Sequence, residues 1–135
     1  MIYILQNFVP IAAATFAGLA FAALWYGLLG RSEAPTVRHY TTGLIVTDII
    51  AEFWFASILA GALILAPDKA NPWVMAIGSA VVIWIGFVVP VLVVTLRHRG
   101  EDGRTLALDV GHWLGVMVVQ AVVLHAIGLT APPAS

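Results

Sequence analysis

Three stretches of this chain, residues 1–30, 70–96 and 110–135, contain no Asp, Glu, Lys or Arg. Each exceeds the roughly 20 apolar residues that cross the hydrocarbon core of a bilayer. Charged residues make up 10% of the chain, against about 25% in soluble domains. A soluble fold is excluded on that ground. A net charge of −1 with no basic face gives no footprint for nucleic acid. The lack of cysteine excludes a disulfide-stapled secreted domain.

The expected architecture is an all-α integral membrane protein, a bundle of four transmembrane helices forming one domain over residues 1–135. The spans fall at about 4–29, 41–66, 72–96 and 106–130. Asp48 and Glu52 interrupt the second. Its apolar remainder, 53–67, is too short to cross alone, but residues 44–50 are otherwise apolar and complete it. Pro67 closes the second span, Asn71-Pro72 opens the third, and Gly100 and Gly103 precede the fourth. The first span is not read as a cleaved leader. No Lys or Arg precedes it, and its apolar run is too long.

Loop charge sets an expected orientation. Arg31, Arg38, Arg97, Arg99 and Arg104 lie on one side of the bundle and Lys69 on the other. Positive charge stays in the cytoplasm, so both termini should be periplasmic in a bacterial inner membrane. Tyr3, Trp25, Tyr26, Tyr40 and Trp73 fall near span ends, where amphipathic rings favour headgroups. Trp25-Tyr26-Gly27 resembles Trp84-Ile85-Gly86, and both Arg38–Asp48 and Arg99–Asp109 are ten residues apart. Such spacing would relate two helical hairpins, as in parallel-repeat transporters.

Small residues at four-residue spacing, among them Ala14, Gly18 and Ala22 and the pair Gly111 and Gly115, are expected to bring helices of one chain together. Pro90 removes a donor within the third span and frees the carbonyl of Gly86. It gives either a simple kink or an acceptor aimed into the bundle.

The costly residues are Asp48, Glu52, Asp109, His112 and Gln120. A carboxylate at mid-bilayer costs about 2.5–3.5 kcal/mol on insertion scales. Asp48 and Glu52 share one helical face with Ala56 and Ala60, and Asp109 and His112 share another with Val116 and Gln120. Asp48, Asp109 and His112 are expected at similar depth, with Glu52 a turn deeper. Trp25, Tyr26, Trp84, Pro90 and Arg97 are the expected supporting residues. Three readings remain open. The residues can form a proton or ion path, with Glu52 as the proton carrier because ionised acids a turn apart repel. They can offer three carboxylates and an imidazole to a metal, although the usual Glu-x-x-His is absent. They can pair with Arg31, Arg38, Arg97 or Arg99 and fix helix register.

No span contains Lys, so a retinal-type Schiff base has no anchor. His112 and His125 lie about 20 Å apart along one helix and cannot share a haem iron. No cofactor or metal is expected. No nucleophile–base pair speaks for an enzyme.

The runs Ala23-Leu24-Trp25-Tyr26-Gly27, Trp84-Ile85-Gly86-Phe87-Val88-Val89-Pro90 and Leu108-Asp109-Val110-Gly111-His112-Trp113-Leu114 are similar to the bacterial four-helix membrane family known as domain of unknown function 1761. The resemblance covers most of the chain and implies four spans. It brings no activity and no catalytic residue. The first connection, residues 30–40, looks shorter than usual for the family and lacks its Trp. The buried acids are more numerous than its pattern. The functional expectation is a small proton-coupled transport or permeation protein, working as a homo-oligomer or in a larger membrane complex. The alternative is a non-catalytic accessory or scaffold subunit.

Overall fold

A computed structural model describes residues 1–29 and 41–134. Arg31, Arg38 and Tyr40 lie outside the described residues. The elements are α1 (Ile2–Gln6), α2 (Phe8–Leu29), α3 (Thr42–Leu65), α4 (Pro72–Ile83), a π-helical turn (Trp84–Val88), α5 (Val89–His98) and α6 (Gly103–Ile127). Four of the resulting helices are long and apolar enough to cross a membrane: α2, α3, the continuous 72–98 unit and α6. The protein is a multi-pass, all-helical protein of the lipid bilayer.

Side-chain caps set the starts of three spans. Thr41 Oγ1 accepts from the Leu44 N–H at 3.2 Å, and Asn71 Oδ1 from the Trp73 N–H at 2.9 Å. Each satisfies one of the orphan donors of a first helical turn. Asp102 accepts from the Thr105 N–H at 2.7 Å, so the fourth span starts at Gly103 rather than near 106. Bonds from the Thr105 backbone and side chain hold the Asp102 carboxyl below the usual carboxylate range.

The first span is not one continuous helix. Asn7 separates α1 from α2 and is 1% exposed. Its amide donates to the carbonyls of Tyr3 at 2.8 Å and Thr130 at 2.9 Å, and its oxygen accepts from the Thr130 N–H at 2.7 Å. A buried amide demands such partners, and these tie the two ends of the chain together. Tyr3 adds a bond from its hydroxyl to the Ser57 carbonyl at 3.1 Å.

The central helix is α6, which packs on α2, α3, α4 and α5. Its buried residues include His112, Val116, Gln120 and Leu124, one stripe at four-residue spacing. Gly111 and Gly115 face α2. A methyl group at Gly111 would lie 3.1 Å from Trp25 Cζ2, and one at Gly115 would overlap the Phe21 ring. The G-x-x-x-G of α6 is therefore filled from within the chain. The apolar core, including Ile11, Leu59, Met117 and Leu124, occupies the half of the bundle nearest the termini.

The third span is the outermost. Phe87, Val82, Val91 and Val94 are exposed on it, as lipid-facing residues should be. In the π turn the Val89 N–H reaches back to the Trp84 carbonyl. A wider turn is a known way to accommodate Pro in a membrane helix, and Pro90 follows at once. Gly86 and Pro90 are both exposed and do not line the polar interior.

Candidate functional site

The buried polar residues form two stations along α6 rather than one focus. At the deeper station Gln120, fully buried, donates through Nε2 to Glu52 Oε2 at 2.6 Å and to the Glu52 carbonyl at 3.3 Å. Glu52 is 3% exposed. It reaches this position because Gly18 of α2 has no side chain. A methyl group there would stand 2.6 Å from Glu52 Oε2 and 3.0 Å from Gln120 Nε2. Three helices thus converge on one carboxyl group.

The second station lies nearer the arginine-bearing end. The Tyr26 hydroxyl donates to Asp109 Oδ1 at 2.6 Å, and the Tyr26 ring packs on His112 at 4.8 Å. His112 is 6% exposed and also meets Trp113, edge to face, at 5.0 Å. Asp109 and Gln120 are separated by about 16 Å along α6. Asp109 and Glu52 therefore do not share a site. Asp48 and His112 line one cavity with Glu52, while Asp109 is held by the Tyr26 hydroxyl.

A cavity of about 560 Å³ joins the stations between α2, α3 and α6. Tyr26, Asp48, Glu52, His112 and Trp113 line it, with apolar residues such as Leu19 and Ile49. Asp48 lies one turn from Glu52 toward the arginine end, so both acids of α3 face the same space. No Lys or Arg occurs among the described lining residues. Among the described residues, no three His, Asp or Glu side chains gather in a geometry suited to a metal ion.

The supporting residues divide. Trp25 donates from Nε1 to the Leu108 carbonyl at 3.1 Å, and Trp84 to the Val110 carbonyl at 2.9 Å. Trp25 and Tyr26 thus turn toward α6 rather than serving only as headgroup anchors. A two-fold relating the hairpins would send Trp84 to α3; these two contacts instead converge on α6. Arg97, like Pro90, is exposed and does not line the cavity. His125, at the far end of α6, packs edge-on to Trp73 at 4.3 Å.

Sequence reasoning missed Trp113 as a lining residue, although it stands next to His112. It also missed Asn7, whose signal was the amide pair Gln6-Asn7 in an otherwise apolar run.

Four apolar helices around a polar interior define a small multi-pass membrane protein. Residues 9–125 match the family described as "Protein of unknown function (DUF1761)", and the chain belongs to that family. No curated protein and no solved structure matches it.

Proposed function

We propose that this protein is a small transporter that exchanges a cation for a proton at Glu52. The observation that carries the reading is the Glu52–Gln120 pair, with Glu52 on the wall of the cavity and Gln120 behind it. The Gln120 amide can present either end to Glu52. Its N–H groups serve an ionised carboxylate, and its oxygen would accept from a protonated one. In the arrangement seen, Gln120 Oε1 is buried without a hydrogen-bond partner. Rotating the amide would give that oxygen a donor whenever Glu52 carries a proton. The pair therefore has bonding available for both charge states, as a proton–cation exchanger requires.

The reading places the cavity toward the cytoplasm of a bacterial inner membrane, with both termini periplasmic. Loop charge supports this: Arg97, Arg99 and Arg104 lie at the cavity end and Lys69 at the other. The single domain would work as a homo-oligomer or within a larger membrane complex. The scaffold reading rests on the same pair. If Glu52 and Gln120 never part, their bond only fixes the register of α3 against α6.

Proteoliposomes carrying a trapped pH dye separate the two. Addition of Na⁺, K⁺ or tetraethylammonium, one at a time, should drive proton flux with at least one of them in the native protein and none in Glu52→Gln. Absence of flux with all three, or equal flux in the variant, contradicts exchange at Glu52.

A further inference from the structure

We infer that the cavity binds a hydrophobic organic monocation, a bulky ammonium or phosphonium ion, rather than a hydrated metal ion. The inference rests on the exchange reading for its role in transport, and on the shape and chemistry of the cavity for its ligand.

Size is the first argument. At about 560 Å³ the cavity falls in the range of small-molecule sites, about 300–1,000 Å³. It is far larger than the cage of oxygens that strips water from an inorganic ion. The second argument is the lining. Leu19, Ile49 and the alanines of α2 supply apolar wall, and Tyr26 and Trp113 supply aromatic rings. That apolar wall matches the skirt of an organic cation, and the carboxylates of Asp48 and Glu52 supply its counter-charge. Ring faces also attract such a cation through their quadrupole.

The third argument is charge. Asp48 and Glu52 face the cavity from α3, and Tyr26 faces it from α2. From α6 the titratable group at the wall is His112, with Asp109 behind it on the Tyr26 hydroxyl. No Lys or Arg stands among the described lining residues, so the field in the cavity favours a cation over an anion. Arg31 and Arg38 lie outside the described residues.

Built walls fix the depth of the ligand. Trp113 is stacked on Phe55 at 5.1 Å, which holds one ring in place. Gly18 and Gln120 fix the Glu52 carboxyl from behind. A cation entering from the arginine-bearing end would meet Asp48 first and Glu52 one turn further in, with the rings of Tyr26 and Trp113 close to that path.

The test uses purified full-length protein in detergent and two ions of one shape and opposite charge. Calorimetric titration with tetraphenylphosphonium should show saturable binding and release of a proton into weakly buffered solution. Tetraphenylborate should not bind saturably. Glu52→Gln should remove the proton release, and Trp113→Leu should weaken tetraphenylphosphonium binding by about 5- to 30-fold, the effect of losing one desolvated cation–π contact. Should Glu52→Gln fail to fold, Asp48→Asn, which leaves Glu52 in place, should keep the proton release, and its loss there would overturn the assignment to Glu52. Equal binding of both ions would overturn the inference, because it would mean nonspecific partition into apolar surface. Binding of Na⁺ or K⁺ with none of tetraphenylphosphonium would also overturn it while leaving the exchange reading standing. Saturable tetraphenylphosphonium binding without proton flux in liposomes has the opposite meaning: the ligand class holds and transport fails.

Discussion

The two halves of the bundle are built differently. The half nearest the termini is closed. Ile11, Leu59 and Leu124 fill it, each no more than 1% exposed, and Asn7 and Tyr3 tie α1 to Thr130 and Ser57 across its end. The half nearest the arginines is hollow, and the acids of α3 line its cavity. Lipid provides no hydrophobic drive between helices, so close packing and hydrogen bonds must hold such a bundle together. The closed half has both. The contrast sets a packed half against a hollow one.

The largest effect should come from probing that contrast directly. The chain has no cysteine, so single thiols can be placed without background. Ala22→Cys, on the cavity wall, should react with a membrane-impermeant thiol reagent supplied from the arginine-bearing face. Ala60→Cys, fully buried in the closed half, should stay unmodified from either face. Equal labelling of both would erase the distinction.

The next largest effect concerns the latch. Asn7→Ala leaves the Thr130 N–H and carbonyl without their partner. Thr130 is itself exposed, so water can take the vacated places, and at about 0.5–1.5 kcal/mol per hydrogen bond lost a stability loss of about 2 kcal/mol is expected in thermal unfolding. A loss much below that would mean the closed half does not depend on its polar seal. On the hollow side, Tyr26→Phe removes one hydrogen bond to Asp109 at a half-buried site. It should cost about 1 kcal/mol, the usual net worth of one hydrogen bond.

Much of this was legible in the sequence. Charge-free runs mark three of the four spans because lipid excludes charge, and the cost of burying acids singles out Asp48 and Glu52 in the remaining one. The face shared by Val116 and Gln120 follows from the helical period alone. The register between helices is not contained in that period. Pairing Glu52 with Gln120 rather than with Asp109 depends on how far α6 slides along α3, and that is decided by which small residue admits which large one. Gly18 admits the Glu52 carboxyl, Gly111 admits Trp25 and Gly115 admits Phe21. A stripe of small residues shows that helices approach, but not which partner fills each gap. Pro90 shows the same limit: its ring is visible in the sequence, while the π turn that faces it outward is a matter of tertiary packing.

The smallest expected effect lies outside the membrane, at the cap of α6. Because the folded state holds the Asp102 carboxyl below the ordinary range of an aspartate, the cap stabilises folding at pH above that range. Its contribution is lost as pH falls through the lowered value. Asp102→Ala should therefore melt slightly below the native protein at neutral pH. The gap should close as the solution becomes more acidic than the ordinary carboxylate range. A gap that persisted there would assign the cap's effect to something other than charge.

The central claim is that Glu52 gains and loses a proton while Gln120 stays beside it. Infrared difference spectra of the carboxylic C=O stretch, native against Glu52→Gln, measure this most directly. The account predicts a band that changes as pH is varied over the range in which the protein stays folded, is absent from the variant, and shifts in Gln120→Leu as its hydrogen-bond partner disappears. A native spectrum with no Glu52 band changing across that range would contradict it, and would leave the pair as a fixed strut between α3 and α6.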